Sequence, residues 1–123
     1  MRACSVKTKG TRMETAVTLY LRAALHDPSI ERLRLAGPRD RGDIGNVRAG
    51  GRLIAIEVKN TTRADTAEHL KQAAQEAANY GALCGVVVQK RRGIGLSTLE
   101  TVGRQLVQMT LKDFTLLLQE ANK

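Results

Sequence analysis

Two apolar runs rich in β-branched residues flank one alanine-rich polar stretch, and this arrangement constrains the chain more than any other feature. The runs are Leu53-Ile54-Ala55-Ile56-Glu57-Val58-Lys59 and Leu83-Cys84-Gly85-Val86-Val87-Val88-Gln89. Both read as strands. Between them, Asp65 with Glu68 has the form of a capping box, and Gly81 supplies a stop, so 65–80 is predicted to be a helix. Strand, helix, strand implies a parallel pair joined by a right-handed crossover. The class is therefore α/β. Ala67, Leu70, Ala74 and Ala77 are expected on the packed side of the helix, where small side chains let it lie close to a sheet. The second run suits a central strand covered on both faces.

The remaining segments fit around this unit. Met13, Val17, Tyr20, Leu21 and Ala24 recur at helical spacing and predict a helix over about 10–26, preceded by a loose basic arm over 1–9. Asp27-Pro28 ends that helix, because the residue before proline leaves the α region. Over 30–36, Leu33 and Leu35 alternate with Arg32 and Arg34, which predicts a half-exposed strand. A loop covers 37–42. Asp43–Arg48, the turn Ala49-Gly50-Gly51 and 52–59 read as a hairpin. Lys90 to Gly95 is expected to be a flexible basic loop. The stretch 96–104 carries no clear signal, 105–110 is an expected edge strand, and 111–122 reads as a closing helix with Phe114, Leu117 and Leu118 inward. No repeat or linker interrupts the chain, so 1–123 is expected to form one domain.

Lysine and arginine number 20 against 12 acids, a net charge of +8. Such a balance favours an anionic partner, nucleic acid before membrane surface. No apolar run approaches the roughly 18 residues of a spanning helix. The N-terminal segment lacks the apolar stretch of a signal peptide. Cys4 and Cys84 stand in no metal spacing, and Cys84 reads as a small buried hydrophobe. These features together suggest a reducing, intracellular setting.

Chemistry concentrates on the first strand. Side chains alternate faces along a strand, so Ile54, Ile56 and Val58 point one way and Glu57 and Lys59 the other. Asp43 lies on the hairpin partner. Two carboxylates on adjacent strands can hold a hard divalent cation, which takes oxygen ligands and neutralises a scissile phosphate. A lysine on the same face adds a compact charge beside it. Glu14 falls at the edge of the apolar stripe of its helix. It is either a border residue or a third acid directed at Asp43 and Glu57.

Gly42-Asp43-Ile44 followed by Glu57-Val58-Lys59 resembles the signature of the PD-(D/E)XK nuclease superfamily. Lys9-Gly10 with Glu14 on the preceding helix, and the helix after the Glu-x-Lys strand, resemble its small Holliday-junction resolvase-like members from archaea and phages. The resemblance spans roughly 9–118. It implies a restriction-endonuclease-like core, a mixed sheet flanked by helices. It further implies Asp43, Glu57 and Glu14 as metal ligands, the Val58 carbonyl as another, and Lys59 as the catalytic lysine. The implied activity is DNA endonuclease chemistry with Mg²⁺, for which Mn²⁺ substitutes, on branched DNA such as a four-way junction, by a homodimer. Gly42 departs from the pattern, which has proline there. Gln75 and Tyr80, and Gln72 and Glu76, do not reproduce a glutamine–tyrosine pair that some relatives carry on this helix. The rival expectations are a restriction-type, repair-type or general nuclease of the same chemistry, and a non-catalytic basic DNA-binding accessory protein.

Lys90, Arg91 and Arg92 are candidate phosphate contacts or a solvated loop, and Lys9 and Arg12, with Lys7, are a candidate DNA clamp or a frayed end. Asp40 reads as a turn former or an outlying acid. His26 and His69 are expected on the surface.

Overall fold

The computed structural model describes residues 6–34, 39–63 and 65–123, with side chains from Lys9 onward. Cys4, Leu35 and Ala36, the Lys7 side chain and the start of the expected arm lie outside what is described.

The strand–helix–strand unit forms as the sequence predicts. Strand β4 (Arg52–Lys59) runs parallel to β5 (Cys84–Gln89), pairing Ile54 with Cys84 and Glu57 with Val87, and α2 (Thr66–Tyr80) makes the crossover. Around it lie α1 (Val6–Leu25), β1 (Glu31–Arg32), β2 (Ile44–Gly45) and β3 (Arg48–Ala49), then α3 (Leu99–Val102), β6 (Leu106–Gln108) and α4 (Leu111–Ala121). The sheet order is β1-β2-β4-β5-β6, with β3 also on β4; every pairing except β4–β5 is antiparallel. The fold is thus α/β with a mixed sheet flanked by helices.

Register divides the sheet into two faces. Ile54, Ile56 and Val58 share a face with Cys84, Val86 and Val88, and pack with Met13 and Val17 of α1. Ala55, Gly85, Glu57 and Val87 belong to the other face, toward α2. Gly85 is required there: a Cβ would collide with the carbonyl of Ala73. That close approach also orients α2. Its buried residues are Ala73, Glu76 and Ala77, while Ala67 and Ala74 are exposed, so the packed stripe is rotated from the expected one. The Asp65 side chain makes no capping hydrogen bond, so the expected capping box does not form. Gly81 ends α2 in the left-handed conformation (φ 68°).

Other expectations are corrected. Helix α1 begins at Val6, so residues 6–9 are its first turn rather than arm; no proline or other breaker precedes Gly10, and Asn60 Nδ2 donates to the Lys9 carbonyl at 2.8 Å. The expected 43–48 strand is split into β2 and β3 at Asn46. Asn46 has φ 68°, a conformation asparagine tolerates, and its N–H donates to the Tyr80 hydroxyl at 3.1 Å. Of the expected 30–36 strand, Glu31 and Arg32 are regular among the described residues 30–34. The ambiguous stretch holds α3, capped by Thr98. On α4, Leu117 packs against the core, but Phe114 and Leu118 are exposed, because the helix meets the sheet along one narrow side. Among the described residues, no helix is long and apolar enough to cross a membrane.

Candidate metal centre

Asp43 is placed by the backbone around it. Ile44 pairs with Ile56, and the Asp43 N–H donates to the Ile56 carbonyl at 2.7 Å. Its Oδ2 accepts the Val58 N–H at 2.7 Å, so both strands fix one carboxylate. Gly42 makes this approach possible. It has φ +96°, and a Cβ there would stand 2.9 Å from the Ile56 oxygen. Proline, whose φ is held near about −65°, cannot adopt that backbone. The glycine at the motif's proline position is therefore a requirement of this turn.

Glu57 lies next along β4 and is 5% exposed. Its Oε2 is 2.9 Å from Lys59 Nζ. Its Oε1 is buried without a partner. Glu14 reaches the same cleft from α1, but its Oε1 is 3.2 Å from the Arg32 guanidinium. Arg32, which the alternation in sequence placed on an outer basic face, thus lies in the site. The cleft is open, about 910 Å³, and is lined by Gly10, Glu14, Arg32, Arg34, Asp43, Glu57, Val58 and Lys59 among others. Asp43, Glu57, Lys59 and Glu14 are thus brought to one cavity. Val58 also lines it, and the Val58 group engaged with a site carboxylate is its N–H.

Behind Glu57 the structure holds an acid that sequence reasoning missed. Glu76 is 2% exposed, and neither of its carboxylate oxygens has a partner. One ligand atom each from Asp40, Glu57 and Glu76 lies within 4.8 Å of the others. Asp40 joins the group from the loop, where its Oδ1 also accepts the Gly42 N–H at 2.8 Å. Among the described residues, the acids that converge in this way are Asp40, Glu57 and Glu76, whereas the resemblance implied Asp43, Glu57 and Glu14. The available signal was the helical spacing that puts Glu76 on one face with Ala73 and Tyr80.

Burial and crowding of like charge shift these groups. Asp43 is pushed up to about 7, first by burial and then by the Glu57 charge, with the Val58 N–H working against both. Glu76 is pushed up to about 10, first by burial, then by the hydrogen bond its protonated form makes to Glu57 and by the Glu57 charge. Written as two carboxylates, Glu57 and Glu76 have no donor between them. They can face each other only with a proton or a cation between them.

The other candidate residues do not line this cleft. Lys9 and Arg12 are exposed on α1 near its mouth, beside Gly10 and Thr11. Lys90 Nζ folds onto the Arg91 carbonyl, Arg91 donates to the Arg104 carbonyl, and Arg92 is exposed. The expected flexible loop is pinned: buried Gln105 accepts the Arg91 N–H and donates to the Ile94 and Gly95 carbonyls. His26 is exposed in a left-handed turn. His69 is half-buried rather than superficial; it edges a second cleft with Gly10, Val58, Lys59, Asn60 and Thr61, and its Nδ1 is buried without a partner.

An all-oxygen donor set with an orphaned Glu57 oxygen suits a hard cation such as Mg²⁺ or Mn²⁺. No family model matches this chain, and neither a curated protein nor a solved structure does.

Proposed function

We propose that this chain is a metal-dependent DNA endonuclease of the PD-(D/E)XK type, with a restriction-endonuclease-like core. One observation carries the reading: Asp43, Glu57 and Lys59 converge on an open cleft, with Lys59 Nζ 2.9 Å from Glu57 Oε2. Asp43 and Glu57 would hold the cation, with Glu14 at its margin. The cation, when bound, supplies charge neutralisation and water activation. The chain's own residues do the rest. The Val58 N–H orients the Asp43 carboxylate. The Lys59 ammonium holds the attacking water or offsets charge on the phosphorane-like transition state. Arg32 and Arg34 on the cleft wall offer donors to the phosphates on either side of the scissile one.

The finer reading follows the resemblance: a four-way junction as substrate, cut by a homodimer whose two-fold axis suits a near-symmetric branch. The net charge of +8 supports an anionic partner. An intracellular setting belongs to the same proposal. A restriction-type, repair-type or general nuclease would use the same residues.

A second reading, a non-catalytic DNA-binding protein, draws on the Glu14–Arg32 and Glu57–Lys59 pairs, which leave those acids already neutralised. Cleavage of end-labelled four-way junction, linear duplex and single strand, with Mg²⁺ and with chelator, decides between them. Paired nicks confined to the junction support a resolvase, and equal cutting of all three supports a general nuclease. Binding without metal-dependent cutting supports the accessory protein.

A further inference from the structure

Asp40, Glu57 and Glu76 come from three elements: the loop before β2, strand β4 and the buried side of α2. Their ligand atoms converge within 4.8 Å. A converging set of acids is common on protein surfaces and by itself means little. Glu76 differs because it is 2% exposed and, written as a carboxylate, has no partner for either oxygen. It is aimed at Glu57, whose buried Oε1 is also unpartnered. A buried carboxylate without a donor is costly, and more so than a neutral polar group. Native chains do not keep one facing another acid without something between them.

Among the described residues, the only ion pair made by any of these three acids is that of Glu57 with Lys59. It occupies Glu57 Oε2, on the cleft side. The three acids carry three negative charges when ionised, and Lys59 offsets one. The remainder matches a divalent ion. The donors are all carboxylate oxygens, which select Mg²⁺, Mn²⁺ or Ca²⁺ over softer metals. Asp40 itself is half-buried.

We infer that Asp40, Glu57 and Glu76 form a second divalent-cation site behind the cleft, sharing Glu57 with the cation held beside Asp43. Glu57 would then be common to both sites, with Oε2 beside Lys59 and Oε1 otherwise unpartnered. The inference rests on the nuclease reading only for the Asp43 site; the Glu76 site stands on its own geometry.

The test is Mn²⁺ binding to the whole chain without DNA, near pH 8, read as free Mn²⁺ by electron paramagnetic resonance. Wild-type protein is expected to bind two equivalents. Glu76→Gln keeps the side-chain volume and should weaken one equivalent by about tenfold or more, which is about 1.4 kcal/mol. Asp40→Asn, on the loop, should weaken the same equivalent and decides the matter if Glu76→Gln does not fold. Asp43→Asn should leave it in place. Binding unaffected by both Glu76→Gln and Asp40→Asn overturns the site and assigns a shared proton to the Glu57–Glu76 pair. Mn²⁺ lost on Glu76→Gln in a protein that never cleaves DNA keeps this site and removes the nuclease reading. Metal-dependent cleavage with Mn²⁺ binding unchanged in Glu76→Gln does the reverse.

Discussion

Lys59 and Glu57 form an ion pair, Nζ to Oε2 at 2.9 Å, on one wall of an open cleft. The pair sets the lysine beside the carboxylate that would hold the cation. Lys59→Ala is expected to slow cleavage by about 10²–10³-fold while leaving DNA affinity within a few-fold, since it removes charge stabilisation at the reacting phosphate. Asp43→Ala should reduce cleavage to background with the fold intact. Single-turnover rates and binding isotherms on the same substrate check both. Wild-type rates in either variant would remove that residue from the site.

Glu14 is held by Arg32 rather than pointing freely at Asp43. Glu14→Ala should therefore cost cleavage less than Asp43→Ala does, and raise the Mg²⁺ concentration needed for half-maximal rate. Arg32→Ala should change stability by no more than about 1 kcal/mol, because the arginine is substantially exposed and the pair is screened. A metal titration of the cleavage rate separates these effects. An unchanged titration for Glu14→Ala would make Glu14 a border residue of α1.

Gly42 carries a backbone prediction. Alanine there must hold φ +96° with its Cβ 2.9 Å from the Ile56 oxygen. Gly42→Ala should cost about 1–3 kcal/mol in denaturant unfolding. Gly42→Pro, which introduces the residue of the signature this stretch resembles, should cost more, since its φ is fixed elsewhere. Equal midpoints for wild type and Gly42→Pro would mean that the turn differs from the one described.

Stability should depend on pH with a definite sign. Asp43 rises from 3.8 to about 7 and Glu76 from 4.5 to about 10 on folding, so the folded chain holds those protons more tightly. Their contribution is complete below about pH 4. It is lost as pH rises, through about 7 for Asp43 and about 10 for Glu76. In chelator near pH 9, Glu76→Gln is expected to melt several degrees above wild type, with the difference closing near pH 4. A difference that grows on acidification would contradict the burial of Glu76.

Gln105 fixes the loop that carries Lys90, Arg91 and Arg92. Gln105→Ala should speed amide exchange over 91–95 and cost about 1 kcal/mol. Replacing the three basic residues together should flatten the salt dependence of DNA binding by about 0.9 for each phosphate no longer neutralised. An unaltered slope would remove the loop from the DNA surface.

The β4–α2–β5 unit was legible because period-two alternation, a glycine stop and a short β-branched run all agree there. Asp43, Glu57 and Lys59 could be singled out because strand alternation gives facing without coordinates. What stayed hidden has physical reasons. Alanines on nearly every face of α2 give its stripe little contrast, and the decisive approach, Ala73 on Gly85, joins two residues with almost no side chain. Glu76 then reads as solvated because it is charged. Asn46 breaks a strand by its backbone hand and not by its polarity. On α4, three apolar residues pointed to a buried face, but only Leu117 finds the core.

Cys84 begins β5 with its thiol buried, and burial raises it to about 11, with Asp113 of α4 adding to the effect. The thiol is inert in the folded chain, because burial suppresses both access and thiolate. In a Cys4→Ser background, the rate of alkylation at Cys84 becomes a clock for the opening of the core around the start of β5. The chain thereby carries, at the far end of its central strand, a reporter of its own breathing.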